Sequence, residues 1–237
     1  MKNGDWVRIN FVGRVKATGD VFDASSEADA KKYGIFDEKK KYGPSLVILG
    51  AGNMMPGVEK ELLGMKVGEK RTFDVSAKEG AGQRRPELIR VISSSKFMEK
   101  GINPFPGMWV NIDNRNCKVM AVSGGRVRVD FNHPLAGKEL TYEAEIKEDI
   151  TDRKERVKAL LDYYGLSGKV DSEGKKNVIT LDKDNPFMRK IIDETLKKWG
   201  AMDAVEFKSK AEPKGGAENA EAPKKTEKRA EKKSADN

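Results

Sequence analysis

The sequence predicts an α+β chain, and three observations carry that class. Apolar and polar residues alternate at strand period through most of the first 148 residues, only one short stretch after Pro56 repeats at helical spacing, and beyond Thr151 two longer amphipathic stripes alternate with strands. Four regions separate along the chain: 1–85, 86–129, a return to strand over 130–149 followed by 150–208, and 209–237.

In the first region Val7, Ile9 and Phe11 alternate with Arg8, Asn10 and Val12, the period of a strand. Gly13 to Gly19 leads to a second short strand signal at Val21-Phe22. Ala24 to Gly43 is too hydrophilic for core. Leu46-Val47-Ile48-Leu49 resumes a strand. After Pro56-Gly57, the residues Val58, Leu62 and Leu63 mark one face of a two-turn helix that stops at Gly64. Arg71 to Ser76 alternates again, with Phe73 and Val75 on one face.

From Pro86 to Val129 the strand signals are Leu88 to Ile92, Met108 to Ile112, and a hairpin of Val119–Val122 and Arg126–Val129 joined by Ser123-Gly124-Gly125. Asp130 to Glu148 returns to strand, with Leu140, Tyr142, Ala144 and Ile146 alternating. Beyond Thr151, Val157, Leu160, Leu161 and Tyr164 form one helical stripe. Asn177 to Leu181 reads as strand. Asn185 caps a helix that begins with Pro186, carries Met188, Ile192, Leu196 and Trp199, and ends at Gly200. Ala204 to Phe207 is a last strand, which makes 150–208 a small αβαβ module.

Residues 209–237 contain no aromatic residue and no Leu, Ile, Val or Met, so they are expected to be disordered. They hold eight Lys or Arg and six Asp or Glu, only +2 of the chain's +8. Mixed signs without aromatics favour a solvating tail over the alternative, a tail that seeks ribosomes or nucleic acid.

Composition excludes several chemistries. With one cysteine, Cys117, and one histidine, His133, no intrachain disulfide can form and a zinc site lacks ligands. Cys117 has no CxxC neighbour and reads as an inert thiol. Nucleophile–base catalysis could run only through His133. No phosphate-cradling glycine loop is present, no cofactor is expected, and no apolar run approaches the roughly 18 residues of a membrane span. Met1 to Trp6 has no apolar core of the secretory type, so a cytoplasmic protein without membrane contact is expected. Nothing in the sequence calls for an oligomer, and a monomer is expected.

Phe11-Val12-Gly13-Arg14-Val15 followed by Gly19-Asp20-Val21-Phe22-Asp23-Ala24-Ser25 resembles the opening of the FKBP-type peptidyl-prolyl isomerases. Gly50-Ala51-Gly52-Asn53-Met54-Met55-Pro56-Gly57-Val58-Glu59 is similar to that family's strand-to-helix turn, and Met65 to Lys70 follows as the family expects. Val129-Asp130-Phe131-Asn132-His133-Pro134-Leu135-Ala136-Gly137-Lys138 resembles the return from a domain inserted in the flap, found in the SlyD-like and long archaeal subgroup. The resemblance covers about residues 4 to 148, and the 150–208 module resembles the long archaeal form. It implies a half-open antiparallel sheet wrapped on the short helix, an isomerase domain of 1–85 plus 130–149, and an insert-in-flap domain at 86–129.

The resemblance implies rotation about X-Pro bonds in an apolar pocket formed by Phe11, Phe22, Asp23, Met54, Met55, Val58, Phe131, His133, Leu135 and Tyr142. On pattern alone the apolar members read as plain core. Asp23 is either a polar edge of the pocket or a turn-closing residue with Ser25, and His133 is either a rim group or the hinge of the insert. Two positions depart from the family: Phe11 and Ala81 stand where it usually has tyrosines, which implies a slowed pocket and an Asp23 without its phenolic partner. In the insert, Val91, Ile92, Phe97, Met98, Phe105, Met108, Trp109 and Met120 are the implied surface for unfolded or nascent, proline-containing polypeptides, about half of them serving its own core. The resulting expectation is a prolyl isomerase with chaperone activity. The alternatives are a holdase without turnover and, on charge alone, a ribosome-associated factor.

Overall fold

The computed structural model describes residues 1–173, 176–182, 185–200 and 204–209. Its organising strand is β1 (Trp6–Val15). The short strands β2 (Val21–Ala24) and β3 (Ser45–Ile48) pair antiparallel with opposite ends of β1, β3 along Trp6–Ile9 and β2 along Val12–Arg14. Between them lies helix α1 (Glu27–Lys32), in the stretch expected to be too polar for core. Ser26 caps it by accepting from the Asp29 N–H, and Ala30 is its one buried residue, so a cap holds a helix that periodicity could not reveal. Helix α2 (Pro56–Leu63) and strand β4 (Lys70–Val75) follow, as expected.

Residues 89–130 build a separate four-stranded antiparallel sheet: β5 (Ile89–Ser93), then one turn of helix α3 (Ser95–Met98), β6 (Trp109–Ile112), β7 (Arg115–Ser123) and β8 (Arg126–Asp130), in the order β5-β8-β7-β6. The β7–β8 turn has Gly124 and Gly125 at positive φ, the primed hairpin geometry that its sequence signals. The β6–β7 turn reaches the same geometry with Asp113 (φ 50°) and Asn114 (φ 59°), among the few side chains that tolerate it. Phe97, Val110, Cys117, Val119, Val127 and Val129 form the small core here.

The chain then returns as β9 (Leu140–Asp149), which pairs antiparallel with β1 on one side and β4 on the other, completing a five-stranded sheet of order β2-β1-β9-β4 with β3 also on β1. Its inner face packs on Val58 and Leu62 of α2 through Val7, Ile9, Leu140 and Ile146. At the crossing into and out of the insert, the Asn132 side chain accepts from Arg85 N–H at 2.9 Å and donates to the Arg85 carbonyl at 2.9 Å and to Asp130 Oδ1 at 2.7 Å. Burial pushes the Asp130 carboxyl up, but the Asn132 backbone and side-chain N–H groups and the Arg84 guanidinium together hold it below the usual range.

The C-terminal unit contains α4 (Arg153–Tyr163), β10 (Gly168–Glu173), β11 (Lys176–Leu181), α5 (Pro186–Trp199) and β12 (Ala204–Ser209). Strand β10, antiparallel to β11, adds to the expected αβαβ order; Val170 is its one large apolar residue, too few to show alternation. Strands β11 and β12 pair in parallel, with α5 as their crossover. This unit packs on the outer side of the first sheet, where Trp6, Leu46 and Ile48 join Val157, Leu160 and Leu196 in one buried cluster. The expected tail from 209 onward falls almost wholly outside the described residues. No described helix is long and apolar enough to cross a membrane.

Trp6 is fully buried, and its Nε1–H donates to the Trp199 carbonyl at 2.9 Å. Trp6→Phe keeps most of the buried area but leaves that carbonyl without its donor. It is expected to cost about 1–3 kcal/mol in chemical denaturation. An unchanged denaturation midpoint would show that the bond is dispensable.

Candidate active site: a ring-lined cleft

The register of β1 against β9 sets Gly13 opposite Tyr142. A Cβ at Gly13 would lie 2.6 Å from Phe22 Cζ and 3.2 Å from Tyr142 Cε1, so glycine here is what lets the two rings approach. Phe22 meets Tyr142 edge-on at 5.9 Å between centroids, Phe11 tilts against it at 6.1 Å, and Phe73 stacks on it at 6.2 Å. Three of these rings, Phe11, Phe22 and Tyr142, line an open cleft of about 480 Å³.

The loop before α2 supplies Asn53, Met54 and Met55. The Glu59 carboxylate, one turn into α2, accepts from Gly50 N–H at 3.2 Å and Met54 N–H at 3.3 Å and so anchors that loop. The far rim is His133-Pro134-Leu135, where Leu135 N–H donates to His133 Nδ1 at 3.2 Å and Ala136 N–H to the His133 carbonyl at 2.9 Å. Those bonds make a compact turn of the segment that leaves the insert.

Of the residues expected in the pocket, Phe11, Phe22, Asp23, Met54, Met55, His133, Leu135 and Tyr142 converge on the cleft. Two do not. Val58 is fully buried beneath it in the core, because the first turn of α2 points it at the sheet. Phe131 faces the insert instead: its N–H donates to the Leu88 carbonyl at 3.0 Å, which prolongs the β5–β8 pairing by one residue and packs the ring on the insert's core. His133 sits on the rim. Ser25 does not close a turn on Asp23; its Oγ accepts from Phe11 N–H at 2.9 Å. Asn53 and Pro134 line the cleft without having been singled out by sequence.

Asp23 does have a partner. Lys40 Nζ pairs with Asp23 Oδ1 and donates to the Ala24 carbonyl at 3.2 Å. The lysine comes from the polar loop after α1, 17 residues away in sequence, where no pattern marks it. Ala81 is not among the cleft-lining residues. Burial, and secondarily the negative charge of Asp23, push the Tyr142 phenol up to about 12. Its hydroxyl meets only Met55 Sδ at 3.8 Å, a weak acceptor. The site is therefore apolar, with one neutral hydroxyl donor, one ion-paired carboxylate at the edge, and a histidine on the rim. No nucleophile is paired with a base among the lining residues.

In the insert, Phe97 belongs to the core at 3% exposure, and Ile92 and Met108 are half-buried against it. The compactness of the small sheet draws these three inward. Val91, Met98, Phe105, Trp109 and Met120 are exposed, between 41% and 66%. Cys117 is fully buried, and burial pushes its thiol up.

Comparison with known proteins bears on this geometry. Residues 1–97 match the family model for FKBP-type peptidyl-prolyl cis-trans isomerase, and residues 90–135 match the model described as FKBP26, IF domain. The short-type peptidyl-prolyl cis-trans isomerase of Methanocaldococcus jannaschii is 32% identical over 148 residues, 62% of this chain and 93% of that protein. The FKBP-type 16 kDa peptidyl-prolyl cis-trans isomerase of Escherichia coli K12 is 34% identical over 110 residues, 44% of this chain and 73% of the relative. The SlyD isomerase of Treponema pallidum is 26% identical over 156 residues, 64% of this chain and 80% of the relative.

The raised phenol has a consequence for stability. Tyr142 binds its proton more tightly folded than unfolded, so its contribution is complete below pH 10.0 and is lost as pH rises toward about 12. Tyr142→Phe is therefore expected to lose less stability than the parent between those values. Parallel curves from chemical denaturation would show that the phenol is not held protonated by its surroundings.

Proposed function

This chain belongs to the FKBP-type peptidyl-prolyl cis-trans isomerases, an enzyme family, and on that footing we propose that the cleft around Tyr142 rotates X-Pro bonds in unfolded polypeptides that the insert holds. The observation that carries the first half is the ring-lined cleft itself, apolar on its floor and carrying Asp23 only at its edge. Rotation breaks no bond; its barrier is about 18–20 kcal/mol because amide resonance must be lost. The twisted amide has a less polar carbonyl than the planar one, so an apolar wall favours it. The protonated Tyr142 hydroxyl, held only by a thioether, is a donor for a substrate carbonyl. Lowering the barrier by about 5–6 kcal/mol corresponds to roughly 10⁴-fold acceleration.

The second half rests on the exposed Val91, Met98, Phe105, Trp109 and Met120, which a sheet of this size leaves outside its core. Phe11, which lines the cleft without a hydroxyl, favours a second reading, a holdase that keeps the fold with little turnover. A protease-free isomerisation assay on an X-Pro tetrapeptide separates the two. Acceleration over buffer is expected; none would leave the holdase.

Replacing residues 86–129 by a short loop should leave tetrapeptide isomerisation nearly intact while strongly reducing catalysed refolding of a proline-limited protein. Equal loss in both assays would contradict this division of labour. Lys40→Met should lower kcat/KM on the tetrapeptide by about two- to fivefold, since an ion pair this exposed contributes at most about 1 kcal/mol. Adding Phe11→Tyr should restore much of the loss by giving Asp23 a phenolic donor. Lys40→Met as fast as the parent would show that Asp23 needs no partner, and a double variant no faster than a slowed Lys40→Met would show that a hydroxyl at position 11 does not reach it.

A further inference from the structure

A second cleft, of about 400 Å³, lies wholly within the insert. Its wall is apolar, with Ile92, Phe97, Ile102, Ile112 and Phe131, and its rim carries Arg90, Lys96 and Lys100 beside Glu99 and Asp113. Arg90 and Arg115 place their guanidinium carbons 5.8 Å and 5.2 Å from the Phe131 ring centroid. In the main sheet several cations have carboxylate partners, as Arg8 has Glu148, Lys16 has Asp74 and Lys70 has Glu143. Among the described residues, Arg90, Lys96, Lys100 and Arg115 have none; the ion pair of Arg84 with Asp130 lies outside the insert, on the hinge. Residues 86–129 hold seven Lys or Arg against three Asp or Glu, so +4 of the chain's +8 is concentrated on this small sheet.

We propose that this cleft selects extended polypeptide segments in which an acidic side chain stands beside apolar ones. The inference rests on the reading of the insert as the part that holds clients, and it names which clients. An apolar client side chain removes the wall around Ile102 and Phe131 from water. A neighbouring carboxylate then meets guanidiniums that have no internal competitor, and a guanidinium lying over a ring keeps its N–H edge free for two parallel bonds to a carboxylate. The same charge could attract RNA, but the Phe131 ring is already occupied by two guanidiniums and is poorly placed to stack a base. Polypeptide is the occupant these features fit.

The test uses the full chain and two fluorescent, proline-free peptides with identical apolar residues, one flanked by Glu and the other by Lys. Anisotropy titrations at low salt should show the Glu peptide binding about tenfold tighter, with the gap closing as salt is raised toward 1 M, where the screening length falls to about 3 Å. Arg90→Glu with Arg115→Glu should reverse the preference, a gain for the Lys peptide that misfolding cannot imitate. If that variant does not fold, Arg90→Gln with Arg115→Gln should bring the two peptides close together. Equal binding of both peptides by the parent would overturn the selectivity and leave client holding in place. Binding of neither would overturn both. Displacement of the Glu peptide by a single-stranded RNA at comparable affinity would overturn the assignment to polypeptide.

Discussion

Strand β1 has to satisfy two cores at once. Val7, Ile9 and Phe11 face α2 and the cleft, while Trp6, on the opposite face, enters the cluster of the C-terminal unit. Because side chains alternate strictly along a strand, a slip of one residue would send both sets to the wrong side. Three strands check the register: β3 at one end, β2 at the other, and β9 along nearly the whole length. The same register puts Gly13 across from Tyr142, and the cleft exists because no side chain intervenes there. Scaffold and site thus depend on one alignment.

The insert is tied to this frame by polar contacts, in contrast to the apolar cluster under the C-terminal unit. Asn132 joins the two crossing segments through Arg85 and Asp130, and Gly137 N–H donates to the Gly82 carbonyl at 2.8 Å. Gly137 holds φ 76° with Arg84 Cβ 3.2 Å from where its own Cβ would be, so the crossing is tight as well as bonded. His133 to Leu135 follows directly from this hinge and forms the cleft rim. The segment that leaves the insert is thus also one wall of the cleft.

Much of this was legible in the residues. Alternation marks β4, β9 and the middle of β1, where apolar side chains face the core and polar ones turn away; the Ser123-Gly124-Gly125 turn marks the β7–β8 hairpin, and Pro56 marks the start of α2. The elements that escaped notice lack that contrast: α1 buries only Ala30, α3 is one turn that buries only Phe97, and β10 has one large apolar residue. In the cleft, motif likeness identified eight lining residues, since each belongs to a contiguous stretch. Lys40 was invisible because its role comes from tertiary approach to Asp23, not from local order. Phe131 was misplaced for the converse reason: it lies inside a contiguous motif, yet one further hydrogen bond to Leu88 commits it to the insert's sheet. Phe97 joined the core because a sheet so small needs a bulky side chain to close it.

In the proposed reaction, rotation is promoted by an apolar, ring-lined wall without proton transfer. Asp23, His133 and Tyr142 are the titratable groups in the cleft, and only Tyr142 is deeply buried, held protonated well above neutrality. The most direct measurement is kcat/KM for an X-Pro peptide across about pH 6 to 9, in light and heavy water. A flat profile with a solvent isotope effect near unity is expected. A bell-shaped profile with an isotope effect of about two or more would mean that a proton moves in the transition state, and would contradict the claim.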